Sequence, residues 1–276
     1  MKSVLMIQSQ VVAARVGNSV AGFATERLGV PALCLPSVLY GRRPDRGPPG
    51  GLPMAPATMR AVLNAMAEDG ALDDVHMVVS GYLALPDQAD VVLEAVQAVK
   101  TRNPKALYLC DPVIGDDGAS FVPSAVAEAI AERLVPAADI LTPNLYELSA
   151  LTKARLQSLE ATYAAARSFG KRVIVTSAPT QKGTGALYVA PTGSWLAEME
   201  LLDSAPKGAG DLFVALFAAR LTLGQSVVMA FEAALGAVHD MILHSRVLGL
   251  DHLDVVGGQE KLEHPVTWPT AHPYNG

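Results

Sequence analysis

A chain of 276 residues, half of them apolar and 17% charged, can bury a large core, and its net charge of −6 argues against a nucleic-acid partner. No CxxC or HExxH spacing is present and the six histidines show no metal spacing, so a zinc site is not expected. Val4–Ile7 is too short for a signal segment and no uncharged helical stretch approaches the ~20 residues of a membrane span, so we expect a soluble cytoplasmic protein with no membrane partner.

In chain order, Val4–Ile7 reads as a strand buried on both faces. A helix is predicted from Gly17-Asn18 to about Leu28, stopped by Gly29, and Pro31–Pro36 follows as a second strand. Cys34 and Cys110 lie in apolar strand-like runs and are expected to be buried free thiols. Residues 41–53 form a Gly/Pro/Arg loop, either a lid or a disordered segment, which contains the basic pair Arg42-Arg43. Helices are then predicted over about Pro56–Glu68, Pro86–Thr101 and Pro123–Arg133, leading into strands Val75–Ser80, Ala106–Cys110 and Asp139–Leu141. Helices near Asn144–Leu151 and Ser158–Phe169 precede a strand at Arg172–Thr176. Gly185–Ala190 and Ser194–Glu200 read as an antiparallel edge hairpin. Two apolar helices, Ala209–Leu223 and Ser226–Leu248, come next, and the polar tail from Gly257 is expected to lie over the surface. This βαβ rhythm predicts an α/β protein of one domain over residues 1–276, with a mainly parallel sheet and helices on both faces.

In such a sheet, ligands sit beyond the carboxyl ends of the strands. Polar residues gather there: Ser9 and Gln10, Ser80-Gly81-Tyr82, Asp111 with Asp116 and Asp117, Thr142-Pro143-Asn144 with Glu147, and Thr176-Ser177. The most informative stretch is Gly208-Ala209-Gly210-Asp211, followed by the apolar run Leu212–Phe217. Two glycines let backbone approach a ligand, and a helix start suits an anion. Asp211 is then either an ordinary helix-start carboxylate or a base beside a phosphate. Asp111 and Glu147 are candidate members of a Mg²⁺ shell, reached through water, although Glu147 and Asn144 also fit a first-turn acid and an N-cap. Thr176 and Ser177 offer hydroxyls to a phosphate or ribose, and Tyr82 is either core or a stacking platform.

Taken together, these motifs resemble the pyridoxal kinase branch of the ribokinase-like superfamily. The resemblance is carried by Ile7–Val12 with Val16-Gly17-Asn18, Ser80–Leu83, Cys110–Asp116, Thr142–Leu148, Val175–Ser177 and Gly208–Leu212. It implies ATP- and Mg²⁺-dependent phosphorylation of the 5′-hydroxymethyl group of pyridoxal, pyridoxine or pyridoxamine, a homodimer, and in some members a monovalent cation. By position it implies Asp211 as base, the backbone of Gly208, Ala209 and Gly210 as anion hole, and Ser9, Ser37 and Tyr82 around the acceptor. Asp111, Asn144, Glu147, Thr176, Ser177 and Phe121 fall around the nucleotide, with Asp111 and Glu147 nearest the metal. Several positions depart from the family pattern. Gln10 stands for the usual His, Ser37 for Thr, Phe121 for Tyr, and Arg42 and Arg43 for an Asn and a His near the substrate. Arg43 so placed favours an anionic or already phosphorylated acceptor. The alternatives are a hydroxymethylpyrimidine kinase, another small-molecule kinase of the superfamily, and a nonenzymatic vitamer-binding protein.

Overall fold

The structure, a computed structural model, describes residues 1–116, 118–180, 183–200, 202 and 205–276; Asp117 lies outside them. The chain runs β1 (Ser3–Val11), α1 (Asn18–Arg27), β2 (Ala32–Tyr40), β3 (Gly51–Pro53), α2 (Pro56–Glu68), β4 (Val75–Ser80), α3 (Gln88–Arg102) and β5 (Leu107–Cys110). A small hairpin follows, β6 (Gly115–Asp116) and β7 (Ala119–Ser120), then α4 (Ser124–Ala129), α5 (Val135–Ala137), β8 (Ile140–Leu141), α6 (Leu145–Thr152) and α7 (Leu159–Arg167). The last part holds β9 (Arg172–Thr180), β10 (Gly183–Ala190), β11 (Gly193–Glu200), α8 (Ala209–Thr222), α9 (Val227–Val247), α10 (Glu260–Glu263) and β12 (Ala271–Pro273).

Ten strands form one sheet in the order β12-β11-β10-β9-β8-β5-β4-β1-β2-β3. The inner pairs are parallel, while β3 at one edge and β10, β11 and β12 at the other are antiparallel. The continuous apolar runs have a simple cause. Leu5 and Ile7 of β1 pack into the core beneath α2, α3, α4, α6 and α7, while Val4 and Met6 pack beneath α1, α8 and α9. With both faces covered, no position on the strand faces water. Each such side chain contributes about 1.5–3 kcal/mol by leaving water. Helix α8 is buried from Leu212 to Arg220 because it lies between the sheet and its neighbours α1 and α9.

Several expectations are corrected. Cys110 is buried as expected, its thiol pushed up to about 12 by desolvation, but its counterpart is not. Cys34 is exposed, because β2 is covered by β3 only from Val38 onward. The sulfur leans on Gly22 of α1; partial shielding, and then Glu26, push it up to about 11. The helix predicted to end near Arg133 instead widens into a π turn over Ile130–Leu134 and continues as α5. Pro136, which has no N–H to donate, enters there. Residues 41–53 are the tip of the antiparallel β2–β3 hairpin, with a 3₁₀ turn at Pro44–Arg46. Helix α9 is long and apolar enough to cross a membrane by length and composition, although Glu232, Asp240 and Arg246 interrupt its uncharged run, and 67% of its apolar window is buried inside the fold.

The tail after Gly257 does more than cover the surface. It forms α10 and then adds β12 to the sheet edge beside β11. Two carboxylates of α9 hold it: Asp240 accepts from the backbone N–H of Val266 (2.5 Å) and Thr267 (3.0 Å), and Glu232 accepts from that of Ala271 (2.7 Å). Asp240 is buried, so removing it strands two donors. Asp240→Ala is expected to lower stability by about 2 kcal/mol, read as a lower urea midpoint.

Candidate active site

The loop leaving β1 meets the start of α8. Gly208 caps α8 in a left-handed conformation (φ 99°), and a Cβ there would stand 2.1 Å from the Arg15 carbonyl oxygen. Gly17 precedes α1 at φ 56°, and its Cβ would stand 2.2 Å from both the carbonyl and hydroxyl oxygens of Ser9. Only glycine meets both demands, a positive φ and no side chain. This contact places Asp211, in the first turn of α8, against the Gly17 turn, where the Gly17 N–H donates to its carboxylate. Burial outweighs that bond and raises the Asp211 carboxyl to about 6. In the same turn, the Ala209 N–H leans on the Pro206 carbonyl at 3.4 Å. The N–H groups of Gly210 and Asp211 meet no backbone acceptor among the described residues. Of the N–H groups expected to form an anion hole, Gly208 to Gly210, that of Ala209 is thus engaged and that of Gly210 is open, with the Asp211 N–H open beside it.

The ends of β5 and β8 bring two more carboxylates near. Asp111 is buried and accepts from Thr142 Oγ1 at 2.8 Å. Desolvation, and then the neighbouring Asp211, raise it to about 7. Glu147 closes a capping box: its Oε2 accepts from the Asn144 N–H (2.9 Å) and Asn144 Oδ1 accepts from the Glu147 N–H (2.8 Å). Its Oε1 accepts from the Ile114 N–H at 3.1 Å. Burial, and then Asp111, still hold Glu147 well above the usual carboxylate range. Asn144 Nδ2 donates to the Gly115 carbonyl (2.9 Å), which ties the β6–β7 hairpin to the site. Thr176 lies beside Asn144, its N–H on the Pro143 carbonyl (3.1 Å), and Ser177 is exposed at φ 57°.

The other predicted residues divide. Ser9 is buried beneath Gly17. Ser37 is fully buried and donates its hydroxyl to the Tyr82 carbonyl at 2.5 Å, while its own carbonyl accepts from Gln88 Nε2 and the Met54 N–H. Ser37 therefore shapes the backbone under Tyr82 and does not offer a free hydroxyl. Tyr82 is half-buried near Tyr40. Arg43 stands in the hairpin tip, paired with Asp45. Phe121 is exposed, with the Lys207 ammonium 5.2 Å above its ring. Lys207 was not singled out from sequence. It also pairs with Asp116 at 3.3 Å and so bridges the β6–β7 hairpin to the residue before Gly208. Its adjacency to Gly208 was the available signal.

A hard, oxygen-binding cation fits this donor set. Buried carboxylates repel one another across Asp111, Glu147 and Asp211, and few protein donors offset them. Among the described residues no three His, Cys, Asp or Glu groups form a metal cage, as suits an ion shared with phosphates and water. Asp111 has one oxygen on Thr142 and one directed to no described hydrogen-bond donor, whereas both Glu147 oxygens already hold backbone N–H groups. Toward a cation there, Glu147 would count as nearby charge or act through water.

Fold and site together define a small-molecule kinase of the ribokinase-like class. Residues 45–255 match the family model for phosphomethylpyrimidine kinase, and the chain belongs to that family. Within it, the chain is 37% identical to the pyridoxal kinase PdxY of Pseudomonas entomophila (strain L48), over 95% of this chain and 94% of that one. The PdxY of Pseudomonas fluorescens (strain SBW25) is 35% identical over the same shares. Among solved structures, the pyridoxal kinase of Leishmania donovani in complex with ADP and pyridoxamine superposes with a TM-score of 0.93, at 25% identity and full coverage of both chains. The pyridoxal kinase of Entamoeba histolytica, at 20% identity over 99% of this chain and 100% of that one, matches in fold with a TM-score of 0.92.

The carboxylate cluster makes a prediction for the metal-free protein. Asp111 binds its proton more tightly folded than unfolded, so its contribution to stability is present at low pH and is lost as pH rises through about 7. Asp111→Asn keeps the acceptor for Thr142 and removes the charge. It is expected to stabilise the free protein by about 2 kcal/mol at pH 8, and by little at pH 5, in thermal melts.

Proposed function

We propose that this protein transfers the γ-phosphoryl group of ATP to the 5′-hydroxymethyl group of pyridoxal, pyridoxine or pyridoxamine. The observation that carries the proposal is Asp211: a carboxylate with its pKa raised to about 6, seated beside unpaired N–H groups at a helix start. A mere binder of anions gains nothing from a base at that point. The relatives named for pyridoxal kinase activity, and a structural neighbour holding ADP with pyridoxamine, support the choice of acceptor.

In this reading, the acceptor hydroxyl attacks the γ-phosphorus. A new O–P bond forms, the bond to the ADP oxygen breaks, and the hydroxyl proton passes to Asp211. The N–H groups of Gly210 and Asp211, with the α8 dipole behind them, face the charge on the transferring oxygens. Lys207, bridged to Asp116 over Phe121, lies at the entrance to this cradle. Mg²⁺, held by Asp111 with Glu147 behind it, would neutralise phosphate charge. Asn144, Thr176 and Ser177 line the nucleotide side, Ser9 and Tyr82 the acceptor side, and residues 41–53 serve as the lid that excludes water. A homodimer and a monovalent-cation requirement belong to the same proposal.

Asp211→Asn is expected to lower kcat by about 10²–10⁴-fold with little change in the KM for ATP, in a coupled assay of ADP release. Near-normal turnover in that variant would remove the base assignment. For the parent protein, kcat/KM is expected to fall as pH drops through about 6, where Asp211 takes up a proton before the acceptor can give one. The description of the matched family favours phosphomethylpyrimidine as a second acceptor, and offering it, with hydroxymethylpyrimidine, beside the three vitamers separates the readings.

A further inference from the structure

The sequence nowhere runs more than two basic residues together, and the fold builds a larger cluster. Arg15 leaves β1, Arg42, Arg43 and Arg46 belong to the β2–β3 hairpin tip, and Lys207 precedes Gly208; all five line one cavity of about 290 Å³. Among the described residues Asp251 is the one carboxylate in that wall. A second cavity of about 280 Å³ shares Arg43, Arg46, Lys207 and Asp251, so the positive surface continues outward. Such a concentration of cations in a chain of net charge −6 is a focused field and not an average property.

The pairing within the cluster is uneven. Arg43 is held by Asp45, Arg46 by Asp251 and Lys207 by Asp116. Arg15 and Arg42 have no carboxylate partner among the described residues. Arg42 Nε donates to the Pro48 carbonyl at 2.8 Å, which fixes the guanidinium plane and leaves its terminal nitrogens without an acceptor there. A fixed planar fork with spare donors matches the two oxygens of a carboxylate or phosphate. The cavity also lies on the acceptor side. Its walls continue β1 beyond Ser9 and β2 beyond Tyr40, whereas the groups assigned to the nucleotide follow β5, β8 and β9.

We propose that this cavity is an oxyanion subsite of the acceptor pocket, so that the protein takes hydroxymethyl heteroaromatics bearing a carboxylate or phosphate substituent besides the reacting hydroxyl. Arg15 and Arg42 hold that substituent, while Arg43, Arg46 and Lys207 supply the field. The proposal rests on the kinase reading above and adds a charge requirement to its acceptor.

The test compares pyridoxal with 4-pyridoxate, which carries a carboxylate in place of the aldehyde, and with inorganic phosphate as inhibitor. Arg15→Ala combined with Arg42→Ala is expected to lower kcat/KM for 4-pyridoxate by about tenfold or more beyond any loss it causes with pyridoxal, the pyridoxal figure reading the part of the effect that comes through the lid. Inorganic phosphate is expected to compete with the acceptor and to lose that competition in the double variant. Arg42→Lys restores charge without the fork and is expected to recover only part of the 4-pyridoxate rate. Equal losses for both acceptors, no turnover of 4-pyridoxate by a parent protein that does phosphorylate pyridoxal, or phosphate competing with ATP instead, would each overturn the subsite. Calorimetric titration of the protein with 4-pyridoxate, and with phosphate, reads the same arginines without turnover. If no vitamer is phosphorylated but this binding is present and lost in the double variant, the kinase reading fails and the subsite stands.

Discussion

The site depends on one backbone contact, the closure of the loop after β1 onto the start of α8. Gly208 accepts the Arg15 carbonyl where a side chain would stand, and Gly17 does the same for Ser9. Close packing at both points leaves no slack in the position of Asp211, whose carboxylate receives the Gly17 N–H. Asp211 therefore sits on a rigid helix, anchored by the Leu212–Phe217 run in the core, and faces a loop that the sheet itself holds in register. A base placed this way loses little of its reach to side-chain motion, which is what proton transfer from a positioned hydroxyl requires.

The interior of the cleft is electrostatically unfinished. Asp111, Glu147 and Asp211 each bind a proton more tightly than a solvated carboxyl, burial first and mutual repulsion second where the groups adjoin. Thr142, and the backbone donors around Glu147, offset only part of this. Stability is given up here for a place where a cation and phosphates are welcome, and the loss is tolerable because two apolar cores flank the sheet.

Much of this was legible in the sequence because it is written locally. Continuous apolar strands, glycine helix stops and the order of strands and helices carry the parallel sheet. Gly208–Asp211 is contiguous and so could be read as a unit, and Asn144-x-x-Glu147 has the spacing of the capping box it forms. What stayed hidden depends on partners distant in the chain. The exposure of Cys34 follows from how short β3 is, and the last strand is fixed by Asp240 and Glu232 on α9. Ser37 is of a type that binds ligands, yet its hydroxyl is committed to Tyr82, a partner 45 positions away.

The cationic rim is the extreme case, since its five side chains come from three separate segments and no window of sequence contains it. Its position also resolves an apparent conflict with the acidic interior. Negative carboxylates deep in the cleft would repel an anionic acceptor if they acted alone. With positive charge at the rim, and with the floor neutralised by the cation of the proposed mechanism, the potential would instead fall along the path an anion takes inward. The acidic surroundings of Arg43, Arg46 and Lys207 then have a use of their own. Asp45, Asp251 and Asp116 hold these cations in place before a ligand arrives, and their exposed ion pairs are weak enough for an oxyanion to displace. Arg15 and Arg42 need no such displacement, which makes them the pair on which recognition turns.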